Sequence, residues 1–334
     1  MAIPTPNFRY FEAGQPPEVV QPKTVAPADL RWLRVEEFLR SRELSANTRK
    51  AYTRDLYRWV EWTDKPWHTI THRDVDRFKQ HLQQLRSPQG KLLTPATVSR
   101  TLAALQSFFK WLTVKDYIGK NPTLTLEKPQ PDPIQPQDLT EDEVKALYGA
   151  LAYRGEQEVR DTALLQVLEH GLRASEVAAL NVEDYEGQRL HIRQAKGDSV
   201  GTVPLLQAAR RSLDAYLGWR LRQGLPTTPD SPLFLSHSNN SKGQRLSYWG
   251  MYSLIEELAD LAGVKDCHPN RLSHTFATQL VLRQMDPTLA RKLTRHRSES
   301  SFQRYSDRAL AIQAEQQFYQ VMGEAEAKER RSSQ

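Results

Sequence analysis

Apolar residues recur at helical spacing along most of this chain. From Asp29, the positions Leu30, Leu33, Val35, Phe38 and Leu39 form a first stripe. Ser45-Ala-Asn-Thr48 then supplies cap residues ahead of a second stripe, Tyr52, Leu56, Trp59, Val60 and Trp62. Thr71 opens a helix through Val75, Phe78 and Leu82. Thr94-Pro95 opens another, with Val98, Leu102, Leu105, Phe108, Phe109 and Leu112 on one face. A bundle of four to five helices over about residues 29–119 follows from this pattern.

The second half begins at Thr140-Glu-Asp-Glu143, a capping box ahead of Val144, Leu147 and Leu151. A helix over about Val159–Glu169 buries Ala163, Leu164, Val167 and Leu168 and stops at Gly171. Arg173-Ala-Ser-Glu176 caps a short helix through Val177 and Leu180. Alternation replaces the helical period only at Gln188–Ile192 and Gly201–Leu205, which predicts two short antiparallel strands joined by a Lys196-Gly197-Asp198 turn. Helices resume at Leu206–Arg222 and Ser247–Ala262. The fold class expected is mainly α with one small antiparallel sheet.

Prolines set the boundaries. Pro4, Pro6, Pro16, Pro17, Pro22 and Pro27 mark residues 1–27 as a flexible or extended tail. Pro122, Pro129, Pro131, Pro133 and Pro136 mark 121–137 as a stiff linker between a helical domain at 28–120 and a second domain at 138–323. Residues 324–334, charged and serine-rich, read as a disordered tail.

Composition narrows the partner rather than the fold. The chain has 334 residues, 39% hydrophobic and 26% charged, with a net charge of +6. That excess favours an anionic partner. The single cysteine, Cys267, excludes an internal disulfide and suits a reducing compartment as a buried thiol. The N-terminus lacks the pattern of a secretory signal, and no apolar run approaches the roughly 20 residues of a membrane span. A cytoplasmic protein with no membrane association is the expectation.

One stretch concentrates the chemistry. Arg291, Lys292, Arg295, Arg297, Arg304 and Arg308 surround His296 and Tyr305. Such a cluster draws a polyanion, and a phenol held within it can attack a phosphorus; a solvated basic helix with a packed tyrosine has the same composition. In the first domain, Arg49, Lys50, Arg54 and Arg58 share the polar face of the second helix and offer a further surface to phosphates.

Arg173 with Glu176, Lys196 in a turn, His274-Thr-Phe-Ala-Thr278, and His296 followed nine residues later by Tyr305 together resemble the tyrosine recombinase, or phage integrase, family. The resemblance covers about 29–322. It implies an N-terminal core-binding (SAM-like) helical domain and an integrase-type catalytic domain that together clamp double-stranded DNA. It also implies cleavage and rejoining through a 3′-phosphotyrosyl link at Tyr305, with no metal and no cofactor. Arg173 matches a phosphate-clamping arginine, Glu176 its orienting partner, Lys196 the acid for the leaving 5′ oxygen, and His296 a phosphate-side histidine; His274 supports them.

The chain departs from the family at the usual His-x-Leu-Arg-His block. Aligned without gaps on His274, Asn270 stands where the histidine is expected and Ser273 where the second arginine is expected. A rival register takes His268 and Arg271 as that pair, but it inserts two residues and rotates the side chains by about 200°. Losing one preorganised charge donor typically costs about 10²- to 10³-fold in rate. Substitutes are Arg271, Arg295, Arg297 and His268. Thr294-Arg295 also replaces the more usual Leu-Gly before His296. A catalytically impaired recombinase-like DNA-binding protein, serving plasmid maintenance, replication or regulation, is therefore the alternative to site-specific recombination or integration. Beyond Tyr305, Ala309–Ile312 and Phe318–Met322 continue an amphipathic helix. In this family such a tail docks on a neighbouring subunit, which implies a homo-tetramer on DNA with exchanged C-terminal helices.

Overall fold

A computed structural model describes residues 30–130, 137–193 and 200–322. The N-terminal tail 1–27, the centre of the linker at 131–136, the Lys196-Gly197-Asp198 turn and the C-terminal 324–334 lie outside them. The chain divides into two compact units between residues 134 and 135.

The first unit contains α1 (Leu30–Arg40), α2 (Ala46–Trp62), α3 (His72–Gln84) and α4 (Pro95–Val114). Each start is set by its cap. The Ser45 hydroxyl accepts from Thr48 N, and that of Thr94 accepts from Thr97 N one residue ahead of the helix-compatible Pro95. At α3 the backbone N–H and the hydroxyl of Thr71 both donate to Asp74, at 3.0 and 2.8 Å. Burial works against the Asp74 charge, but Lys65 at 2.6 Å and the Thr71 donors outweigh it and hold the carboxyl at about 2.

Trp59 lies at the centre of this core, edge-on to Phe78 at 4.8 Å and to Phe109 at 5.7 Å. Leu33 is an exception to the expected stripe at 45% exposure. It is two residues from Val35, hence on the opposite face of α1 at 100° per residue.

The expected linker, 121–137, begins with residues that contact the first unit. Leu126 is buried in the first core, Gln106 Nε2 donates to the Leu126 carbonyl at 3.2 Å, and Lys79 Nζ donates to the Glu127 carbonyl at 2.7 Å. Residues 121–130 therefore pack on α3 and α4. Proline content reported the absence of helix there, not the absence of contacts.

The second unit comprises α5 (Glu141–Ala150), α6 (Glu158–Leu168), α7 (Ala174–Ala179), β1 (Arg189–Ile192), β2 (Gly201–Pro204), α8 (Gln207–Arg222), α9 (Tyr248–Ala262), α10 (Pro269–Leu282), α11 (Pro287–Leu293) and α12 (Glu299–Val321). Its Thr140–Glu143 capping box is present, with Thr140 N donating to Glu143 at 2.8 Å and Glu143 N donating to Thr140 Oγ1 at 3.2 Å. The chain just before it is already anchored, because Leu139 is buried and its N–H donates to Thr275 Oγ1 on α10 at 2.8 Å. Leu164, Leu165, Val167 and Leu168 of α6 are all buried, so this helix is enclosed on every side and packs against α8 and α10. β1 and β2 pair antiparallel, with Leu190 opposite Val203 and both fully buried.

Gly171 ends the α6 segment with φ +75. A Cβ there would stand 2.4 Å from the Phe276 ring of α10, so only glycine fits. This turn delivers Arg173 to the start of α7. Cys267 is buried in the second core, and burial pushes its thiol up to about 11.

Candidate functional site

The groups that the sequence singled out in the second unit meet where α7, α10, the α11–α12 turn and α12 converge. Arg173 is the residue before α7; its Nη1 donates to Glu176 Oε1 at 2.7 Å, and its own backbone N–H donates to Glu176 Oε2 at 2.9 Å. Glu176 is 1% exposed while the Arg173 side chain remains about one-third open. The carboxylate thus holds the arginine from the protein side and leaves it a solvent-facing edge.

A second guanidinium reaches the same carboxylate. Arg295 Nη2 donates to Glu176 Oε2 at 2.7 Å and to the Gly171 carbonyl at 3.1 Å, and its Nη1 donates to the Leu293 carbonyl at 3.1 Å. Arg295 takes φ +59, the left-handed region, and its side chain is 4% exposed. An ionic triad results, Arg173–Glu176–Arg295, buried at Glu176 and Arg295 and open at Arg173, with the charges of two arginines against one carboxylate.

The next residue, His296, is fixed through Nδ1, which lies 2.7 Å from Thr294 Oγ1; that hydroxyl also donates to the Ala290 carbonyl at 2.8 Å. Nε2 is left as the nitrogen able to face a substrate. Burial, followed by the charges of Arg173, Arg304 and Arg295, lowers His296 to about 4. His274 is likewise held at about 4 by burial, with contributions from His268 and Arg304. Both imidazoles are neutral near pH 7.

Tyr305 sits between them. Its ring centroid is 5.2 Å from that of His296, 5.6 Å from His274 and 5.5 Å from Phe302. It is 4% exposed and packs with Ala277, Ala290 and Phe302 in a small cluster apart from the main core. Burial raises its pKa; the Arg304 and Arg173 charges pull it back without overcoming the burial. The sequence anticipated a phenol activated by surrounding cations. The environment instead keeps the resting phenol protonated.

Other expected residues fall differently. Asn270 is exposed, and the Ser273 hydroxyl donates to the Asn270 carbonyl at 2.9 Å, so α10 brings no positive charge to the site at either position. Arg271 does not substitute for them. Its guanidinium donates to the carbonyls of Lys265 (2.7 Å), Asp138 (3.2 Å) and Gln137 (3.3 Å), which ties the domain's first residues to α10. His268 precedes α10 and stacks on Tyr252 at 6.4 Å. Arg271 is thus engaged by backbone carbonyls, while the His268 ring packs on Tyr252.

Arg297 and Lys292 are exposed, and Arg291 Nη1 donates to the Arg297 carbonyl at 3.4 Å. Arg304 is exposed on α12 and acts electrostatically on Tyr305, His296 and His274. Arg308 is drawn away to Asp138 at 2.7 Å. Lys196 lies outside the described residues; the strands that flank it are in place.

In the first unit, Lys50 and Arg54 are exposed and Arg49 is half-buried. Arg58 and Arg54 approach the buried Asp55 at 3.3 and 4.0 Å, and Arg100 of α4 pairs with the same carboxylate. This buried acid was not expected. An aspartate among arginines on an amphipathic helix reads from sequence as one more solvated charge, and only its distant partners Arg100 and Thr101 distinguish it.

Residues 137–311 match the Phage integrase family, and residues 35–116 match the Phage integrase, N-terminal SAM-like domain. A tyrosine recombinase XerC of Roseiflexus castenholzii is 32% identical over 286 residues, covering 81% of this chain and 88% of the relative. A tyrosine recombinase XerD of Oceanobacillus iheyensis is 32% identical over 285 residues, covering 80% and 90%. Among solved structures, XerH site-specific recombinase bound to a palindromic difH substrate superposes with a TM-score of 0.68 at 18% identity, over 87% of this chain and 84% of that one. The Tn1549 transposon integrase in complex with circular intermediate DNA gives a TM-score of 0.66 at 18% identity, over 84% and 98%. At these identities the structures speak for the fold.

Proposed function

The chain belongs to the phage integrase family of tyrosine recombinases, and from that premise we propose that it recombines double-stranded DNA at specific sites with Tyr305 as its nucleophile. The observation that carries the residue assignment is the packing of Tyr305 against His296, the residue that follows Arg295 of the arginine pair on Glu176, with the Arg173 charge acting on the phenol.

In this reading a scissile phosphate sits against the open edge of Arg173 and Nε2 of His296. Tyr305 Oη attacks the phosphorus, the P–O5′ bond breaks, and a 3′-phosphotyrosyl ester forms. The 5′ oxygen leaves with a proton from Lys196, and the phenol gives up its own to one of the neutral imidazoles beside it. Attack by a 5′ hydroxyl of the recombining strand reverses the sequence, so the ester conserves the bond energy. Burial of the resting phenol means that DNA binding must bring Tyr305 out of its cluster with Phe302 and Ala290 before attack.

The exposed cations Lys50 and Arg54, with Arg49 and Arg58 on the same helix, are assigned to phosphate contacts by the first domain. Lys292 and Arg304, with Arg291, are assigned to such contacts by the second. Binding of this kind weakens steeply with salt.

Exposed apolar residues at the end of α12, Phe318, Tyr319, Val321 and Met322, favour docking of that segment on a neighbouring subunit in a tetramer on DNA. The absence of charge at Asn270 and Ser273 favours slow turnover. Duplexes recovered from a random library by binding to the full chain, then nicked near the centre of the recovered site, provide the test. A covalent protein–DNA adduct that disappears in Tyr305→Phe supports the assignment. Tight, specific binding without any adduct leaves a DNA-binding protein instead.

A further inference from the structure

Arg295 occupies a position where a long side chain is costly. Its φ of +59 is a conformation that glycine adopts freely and that L-residues rarely take. Its guanidinium is then desolvated almost completely, with Nε buried and without a hydrogen-bond partner among the described residues. A packing role alone would be met by glycine, without the strain or the desolvation, or by an apolar side chain, without the desolvation.

The charges explain what glycine would lose. Glu176 takes Arg173 on one oxygen and Arg295 on the other. Without Arg295, a carboxylate held at 2.7 Å would neutralise Arg173, and the triad would present no net charge to a substrate phosphate. With Arg295 the triad carries one net positive charge, and Arg173 keeps its field on the open side. At Ser273 of α10 the site has no charge of its own to contribute. The Arg295 stem also runs along Gly201 at the start of β2, where a Cβ would lie 3.3 Å from its Cδ, so the strand start is shaped to accept it.

We propose that Arg295 is a positioning residue for the strand-cleavage reaction: it supplies from beneath Glu176 the second positive charge that Ser273 cannot give, so that Arg173 meets the phosphate with its charge uncompensated. This rests on the assignment of Tyr305 and Arg173 made above. The charge of the phosphate centre has moved from α10 to the turn before His296.

The experiment compares Arg295→Gln, Arg295→Lys, Arg295→Gly and the double variant Arg295→Gln with Ser273→Arg. Each is first shown by far-UV circular dichroism to retain its helices. The readout is the rate of adduct formation on the nicked duplex described above. Arg295→Gln and Arg295→Gly are expected to lose about 10²- to 10³-fold. Arg295→Lys, which keeps the charge, retains more than Gln does, and adding Ser273→Arg to Arg295→Gln restores at least tenfold. A structural role would not be rescued by a charge placed on another helix. An unchanged rate in Arg295→Gln, or no rescue, overturns the proposal.

A second readout needs neither DNA nor Tyr305. The His296 imidazole is titrated by NMR in the free protein. Removing the Arg295 charge is expected to raise its pKa, and no movement overturns the proposal by itself. If the native chain forms no Tyr305-dependent adduct, the nucleophile assignment fails while this titration still decides whether the Arg295 charge reaches the site.

Discussion

Glu176 and Arg295, 119 residues apart in the chain, are joined at 2.7 Å and are both almost wholly buried. Glu176 also anchors the Arg173 side chain, so one carboxylate determines where two cations of the site stand.

Glu176→Ala is therefore expected to destabilise the chain strongly. It leaves the buried Arg295 guanidinium without its counter-ion, a loss that typically costs about 3–5 kcal/mol. Urea denaturation measures it; Glu176→Gln, which keeps an acceptor, is expected to lose less than alanine. A cost below about 1 kcal/mol would mean that Arg295 is not held as described.

Gly171→Ala tests the turn that presents Arg173. The substitution meets both a left-handed backbone and the Phe276 ring at 2.4 Å. A loss of about 2–4 kcal/mol is expected from strain and overpacking combined. Relieving the ring with Phe276→Leu in the same chain is expected to recover the packing part and leave the backbone part, as thermal melts of the three variants would show.

Acid sensitivity follows from the buried imidazoles. His296 and His274 are held at about 4 in the folded state, chiefly by burial, against 6.5 for the free side chain. His170 is shifted in the same direction, its Nδ1 donating to the Gln166 carbonyl and its Nε2 accepting from Leu206 N. Between those two pH values the unfolded chain binds more protons than the folded one, so stability rises with pH across the window and is fully present above it. The urea midpoint is expected to fall steadily from pH 7 to pH 4.5. His296→Asn and His274→Gln should each flatten that slope; an unchanged slope in both would place the acid-sensitive groups elsewhere.

Ending the chain at Ala314 separates the fold from assembly. Beyond that residue every described position of α12 is exposed, including Phe318 at 57% and Val321 at 76%. The truncated chain is expected to melt within about 0.5 kcal/mol of the full one, as surface changes do. On DNA it is expected to sediment as smaller complexes. Identical sedimentation of the two complexes would remove α12 from the assembly.

Much of the architecture was legible in the pattern of residues. The capping signals at Ser45, Thr94 and Thr140 begin their helices in the structure, because a cap acts on backbone groups two or three residues away. Period-two alternation found the two strands for the same local reason. Arg173, Glu176, His296 and Tyr305 could be singled out because their chemical types occur in a recognisable order. What the local pattern left out is mostly of longer range. Leu126 packs through a proline-rich stretch, Arg271 is spent on the carbonyls of residues 137 and 138, and Asp55 is buried against Arg100.

By itself, then, the sequence determined the helices, the small sheet and the types of group available for chemistry, since these depend on periodicity and on neighbours within a few residues. Only the tertiary structure decided which cation serves the site and which merely holds the chain together. Arg271 and Arg295 are equally charged on paper. Burial and the identity of the acceptor decide it: backbone carbonyls for one, two of them more than a hundred residues away, and for the other a carboxylate shared with Arg173 and 119 residues distant.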